Sequence, residues 1–229
     1  MDETQYWNYY EVVRGDLIKA SYCYYESKEI NEFAKKNSEN FDELNSCATF
    51  WKTTMHGLQI GWFMALSRLF DQGPNTHTMA RFLDHTVAHP EFFSREAFDL
   101  RRMKDAKGGS RPEWLDSYVA QIWVPATDDL RELARLLRPY RQKWSSHYND
   151  IRDRVFAHTI AIDHADITAL FSRALVADIE EILQGLGKIL EIIKELWLNG
   201  RHPNQHTPST EFLDDIVLET RQLLGSVGR

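Results

Sequence analysis

Cysteine is nearly absent from this 229-residue chain, with only Cys23 and Cys47. Two thiols cannot staple a disulfide-rich scaffold or build a four-cysteine zinc site, and both are expected as small core residues rather than as a bridge. Cys-x-x-Cys, Glu-x-x-His and Gly-x-Ser-x-Gly sequences are all missing. Their absence removes the usual signatures of a thioredoxin-like redox centre, a di-iron bundle and a serine-hydrolase elbow. Long apolar runs are missing too: the most apolar stretch, Leu58 to Leu66, is far too short to cross a bilayer and is followed by Arg68. The opening Met1-Asp2-Glu3-Thr4-Gln5 has neither the basic nor the apolar part of a secretion signal. A cytoplasmic location, off the membrane, is therefore expected. Basic residues are in deficit, 27 against 34 acids for a net charge of −7, which argues against wholesale electrostatic wrapping of nucleic acid.

Proline and glycine are sparse and clustered, at Gly73-Pro74, at Lys107 to Pro112, and from Gly200 to Pro208. Between these clusters apolar residues recur at helical spacing, and no alternating strand pattern flanked by hairpin turns is present. The chain is expected to be all-α. A first helix is predicted over about 4–36, with Gly15 as the place where it can break. A second is predicted over about 41–71, capped by Asn40 or Asp42, with Leu44, Cys47, Trp51, Leu58, Trp62, Ala65 and Leu69 as its stripe. These two make a long antiparallel pair. Shorter helices are predicted near 77–88, 94–105, 112–124 and 127–138. Pro139 suits the start of another that runs to about His158 and buries Trp144, Tyr148, Ile151 and Val155 at i, i+4, i+7 and i+11. A last long helix starts at Asp166 or Thr168 and carries Leu170, Leu175, Ile179, Ile182, Leu186, Ile189, Ile193 and Leu196 inward. A short amphipathic helix follows from Ser209 or Thr210 to Leu224.

Charge is unevenly placed. Between 131 and 154, seven bases (Arg131, Arg135, Arg138, Arg141, Lys143, Arg152 and Arg154) face three acids, a local balance of +4. This basic stretch ends in Arg152-Asp153-Arg154-Val155-Phe156-Ala157-His158, which joins a permanent cation able to grip phosphate with an imidazole that titrates near neutrality. Arg152, a polar residue and then His158 after five intervening positions resembles the Arg-x4–6-His signature of the HEPN superfamily. Ala65-Leu66-Ser67-Arg68-Leu69-Phe70-Asp71 and the aromatic opening Tyr6-Trp7-Asn8-Tyr9-Tyr10 resemble its AbiU-like branch, linked to bacterial abortive infection. In order and spacing the resemblance covers roughly residues 4–198. It implies a HEPN-like helical bundle over 1–200, with long antiparallel and additional short helices, and leaves 201–229 as a tail with a short helix. It further implies a homodimer that cuts RNA with both protomers' motifs, in phage defence or a toxin–antitoxin setting. An antitoxin or regulatory protein is the implied further partner.

On a regular helix Arg152 and His158 would lie about 9 Å apart along the axis and about 120° apart around it. They would flank the buried stripe at roughly +70° and −50°, both leaning toward a neighbouring helix or subunit. Two arrangements stay open. In the one that the resemblance favours, Arg152 and His158 act with their copies across a twofold axis, and Asp153 orients a partner or holds the helix end. In a local one, Arg154 and His158 form the cationic pair, with His147 upstream on the same flank. Either way the expected chemistry is metal-independent and cofactor-free: His158 takes the proton from a ribose 2′-hydroxyl, the oxygen attacks phosphorus in line, and Arg152 stabilises the growing charge. Arg154, His147, Arg141 and Lys143 are candidate RNA contacts. The competing expectation is a non-catalytic helical dimerisation module that binds a nucleotide or a protein partner.

Other patterns favour structure. His85 with His89 and His202 with His206 have ligand-like spacing without a third and fourth donor, and the loop Lys107 to Pro112 is expected to be a flexible connector rather than a phosphate cradle. Arg68 and Asp71 suit an intrahelical i,i+3 pair. The rings at 6–10 and 22–25 can stack bases, but such spacing better fits a helix interface.

Overall fold

A computed structural model describes residues 1–73, 75–105, 110–151, 176–205 and 211–227. Among them every regular element is helical, as expected. In chain order they are α1 (Glu3–Lys36), α2 (Ser38–Ser46), α3 (Ala48–Leu69), α4 (Met79–Ala88), α5 (Arg95–Asp105), α6 (Leu115–Gln121), α7 (Thr127–Arg135), α8 (Arg138–His147), the single turn α9 (Asn149–Ile151), α10 (Val176–Asn199) and α11 (Glu211–Val227). Short 3₁₀ turns occupy Pro90–Phe93 and Pro203–Gln205. No helix among the described residues is long and apolar enough to cross a membrane.

Helix α1 opens on a capping box in which the Gln5 amide donates to the Asp2 carboxylate at 2.8 Å and the Asp2 amide donates to Gln5 Oε1 at 3.0 Å. It runs unbroken through Gly15, because Val13 and Leu17 on either side are buried and their packing outweighs a glycine penalty of about 1 kcal/mol. The predicted helix over 41–71 is two helices. Asn37, in an extended conformation, ends α1 and caps α2 by accepting from the Asn40 amide at 2.7 Å, so the cap lies ahead of Asn40 and Asp42. The chain then breaks at Cys47, where the Ser46 hydroxyl donates to the Glu43 carbonyl at 2.7 Å and competes with the helical ladder. Both thiols are free. Cys47 is exposed and Cys23 half-buried, which corrects the expectation of two core cysteines: Cys47 sits at the break, outside any packed stripe.

Three long helices make the frame. Arg68 pairs with Asp16, and Trp51, Met55 and Leu58 pack around Ile30, so α3 runs antiparallel to α1. Trp7 stacks on Trp197 while Lys28 binds Glu180 at 2.6 Å, so α10 also runs antiparallel to α1. The predicted inward stripe of α10 holds from Ile179 through Ile182, Leu186, Ile189 and Ile193 to Leu196; Leu170, Leu175 and the start of that helix lie outside the described residues. Gly200 takes a left-handed φ of 56° beyond the end of α10, and its carbonyl accepts from the Trp123 amide at 2.8 Å. The aromatic opening belongs to the core: Tyr6 exchanges a 2.8 Å hydrogen bond with Thr86, and the Thr78 amide donates to Tyr9 Oη at 3.0 Å. His85 and His89 stack within the fold, with His89 held by Glu91 at 2.8 Å, and His202 packs edge-on against Trp123. Arg111 pairs with Asp99 and Asp116, while 107–109 of its loop and His206 lie outside the described residues. Helix α11 docks on α1 through a second small core of Ile30, Leu44 and Leu224 and an Arg221–Glu29 ion pair at 2.6 Å.

Candidate functional site

The segment that leads into the Arg-His motif is anchored by rings. Trp144 is stacked between Phe70, at the end of α3, and Tyr148, with centroids 5.3 Å and 5.2 Å away and planes within 15° and 17°; Phe63 closes in from the side. Trp144, Tyr148 and Ile151 are almost fully buried, so the predicted stripe holds as far as Ile151. The predicted continuous helix does not. Ser145 and Ser146 both turn their hydroxyls to the Gln142 carbonyl, at 3.0 Å and 2.7 Å, and the helix loosens at Tyr148 before the turn Asn149–Ile151. Ile151, with no exposed surface, is the last described residue before the motif. Arg152, Asp153, Arg154, Val155 and His158 lie outside the described residues.

Helix α8 is wedged between α3 and α10. On the α10 side a Cβ at Gly185 would fall on the Tyr140 ring, so only glycine lets the ring lie this close to the backbone. Lys143 binds Asp178 at 3.1 Å and also Glu181, and those two carboxylates raise its pKa. It is thus held as a clamp between α8 and α10. His147 is half-buried, lies edge-on to Tyr148, and has a buried Nδ1 without a hydrogen-bond partner among the described residues. Of the other bases in the positive stretch, Arg131 pairs with Asp128 and Arg135 with Glu132, each within its own helix. Arg138 and Arg141, three apart on α8, are exposed and enter no such pair among the described residues.

Arg141 reaches a polar cleft of about 320 Å³ between the end of α3, the start of α4 and α8. Its walls include Arg81, Asp84, Asp71, Gln72 and Thr78. Arg81 donates to the Thr76 carbonyl at 3.1 Å, and the Asp71 carboxylate accepts from the amides of Gln72 and Gly73 at 2.7 Å and 3.2 Å. Thr78 caps α4 by accepting from the Arg81 amide at 3.3 Å. Two guanidiniums beside a helix start suit an oxyanion such as a phosphate, with Asp71 and Asp84 limiting the excess positive charge. The predicted Arg68–Asp71 pair is not the one formed. Arg68 instead grips Asp16 of α1 with Nε at 3.0 Å from both oxygens and Nη2 at 2.5 Å, because α3 ends at Leu69 and Asp71 lies past the cap in the loop. The structure thus brings Arg141 to a polar site, commits Lys143 to a structural clamp, and leaves His147 at the core edge. Arg81 was missed in the sequence because it lies sixty residues upstream of Arg141, and no local pattern joins the two.

A family model described as AbiU2, of the HEPN type, matches residues 5–216. The chain belongs to the AbiU2 family of HEPN proteins. The match takes in the aromatic opening, the Ala65–Asp71 stretch, α8 and the Arg152–His158 motif. It runs past residue 198, where the motif-based resemblance ended, into α11. Neither a curated protein nor a solved structure matches. The membership ties this AbiU2 chain to abortive infection and leaves its chemistry to its own residues.

Proposed function

We propose that this AbiU2 protein is a metal-independent endoribonuclease of phage defence or a toxin–antitoxin system, with His158 as general acid/base and Arg152 stabilising the phosphate. The observation that carries the proposal is the coincidence of family membership with Arg152-Asp153…His158 starting directly after the buried Ile151. Neutral His158 removes the 2′-hydroxyl proton, the 2′-oxygen attacks the adjacent phosphorus, and the 5′-oxygen leaves with a proton from a general acid. A second protomer supplies that acid, so the active unit is a homodimer, and a partner protein restrains it. Arg141 and Arg138 contact phosphates flanking the scissile one, and Arg154 and His147 are further candidate RNA contacts. Because the ribose supplies the nucleophile, cleavage of purified RNA should survive excess chelator, leave 2′,3′-cyclic phosphate ends and spare DNA. A strict magnesium or manganese requirement, or equal cutting of DNA, would contradict it.

One observation favours the alternative of a non-catalytic dimerisation module that binds a nucleotide or protein. Arg131, Arg135 and Lys143 are all neutralised by carboxylates, which trims the basic surface available to RNA. Binding of RNA or nucleotide without product formation would favour that module.

A further inference from the structure

Helix α3 carries apolar residues all around, yet its first half is poorly covered, with Phe50 62% exposed and Trp51, Met55 and Leu58 only half-buried. Where this half faces the end of α1 and α11, a cavity of about 390 Å³ opens, walled by Ile30, Phe50, Trp51, Leu58 and Leu224 with Glu26 among them. Phe50 and Trp51 meet edge to face, centroids 5.2 Å apart and planes at 80°, so they present two aromatic walls near a right angle. Glu26 stands in this apolar setting with no hydrogen-bond or ion-pair partner among the described residues. Nearby carboxylates do have partners: Glu29 holds Arg221, and Glu180 binds Lys28 and Tyr24. The Thr220 hydroxyl is spent on the Ile216 carbonyl at 2.7 Å, and none of the described lining residues is basic.

We infer that this cavity is a binding site for a small organic cation, an alkylammonium ion with an apolar body, held by Glu26 and the Phe50–Trp51 corner. Aromatic faces attract a desolvated ammonium through their quadrupole, and an unpaired carboxylate in an apolar wall adds the counter-charge that such an ion needs. Burial alone pushes the Glu26 carboxyl above its usual range, so a bound cation offsets the cost of burying its charged form. A neutral apolar ligand would leave that cost in place. An anion would meet Glu26 and, at the rim, Glu219. The volume suits a compact ligand. The site stands apart from the Arg152–His158 motif and does not depend on the ribonuclease proposal.

The test is calorimetric titration of the full chain with benzyltrimethylammonium, with 2-phenylethanol as the neutral comparison. Saturable one-to-one binding is expected, weakened roughly tenfold or more by Glu26→Gln and clearly weakened by Phe50→Ala. Circular dichroism should report an unchanged fold for both variants, since Glu26 has no partner among the described residues and Phe50 is exposed. No saturable binding up to about 10 mM, equal affinity for the Glu26→Gln protein, or equal affinity for 2-phenylethanol would each overturn the proposal.

Discussion

Both halves of α3 carry large apolar side chains, and the fold treats them very differently. From Phe63 to Leu69 the helix is covered by α1 and α8, and Phe63, Leu66 and Leu69 are essentially without exposed surface. From Ala48 to Trp62 it meets the end of α1, α2 and α11, and its large side chains stay partly or largely exposed. Large apolar side chains along one helix therefore do not by themselves decide where the core lies; how fully the neighbouring helices cover them at each level does. The covered half ends in Phe70, whose stack on Trp144 fixes α8 and carries the chain to Ile151. The open half borders the Glu26 cavity.

The sharpest break of this contrast is Trp144→Ala, which empties the centre of the ring stack and should cost about 3–5 kcal/mol in urea unfolding. Trp144→Phe should cost much less, since it keeps a ring and removes an indole N–H that is buried without a partner among the described residues. Gly185→Ala should come next, at about 1–3 kcal/mol from overpacking against Tyr140. Adding Tyr140→Ala should recover part of that loss, a coupling that a double-mutant cycle measures directly. In the open half, Phe50→Ser should change stability by no more than about 0.5 kcal/mol. A cost as large as that of Trp144→Ala would mean that the open half is covered in the folded protein.

Glu26→Gln should show the smallest effect, and its sign depends on pH. The folded-state pKa of Glu26 is raised, so the folded protein binds the proton more readily than the unfolded chain. Stability of the wild-type protein then falls as pH rises from the unfolded pKa, about 4.3, through the higher folded value. The glutamine variant escapes that fall. Thermal melts should place its midpoint above wild type at neutral pH, with the difference gone below the unfolded pKa.

Much of the frame was legible from spacing alone. The stripes of α8 as far as Ile151 and of α10 from Ile179 were recovered from apolar periodicity, and Pro139 and the Gly200 cluster marked real helix ends. What escaped was local competition. Ser46 and the pair Ser145-Ser146 divert carbonyls that a period count treats as available, so one predicted helix split at Cys47 and another loosened at Tyr148. Asn37 was overlooked as a cap because it also ends α1. Charge counting gave the basic stretch but could not foresee which bases would be spent, since the partners of Lys143 sit on α10, more than thirty residues away. Arg141 was named as a candidate contact, whereas its cleft with Arg81 and Asp71 exists only once α3, α4 and α8 meet.

The claim that the chain anchored at Ile151 delivers a ribonuclease motif is tested most directly by single-turnover cleavage of a labelled RNA, in excess chelator, by wild type and three alanine variants. Arg152→Ala and His158→Ala should each abolish cleavage while leaving helical content and the melting midpoint unchanged, and Arg154→Ala should reduce it only partly. Cleavage that persists in the His158→Ala protein at the wild-type rate would contradict the account.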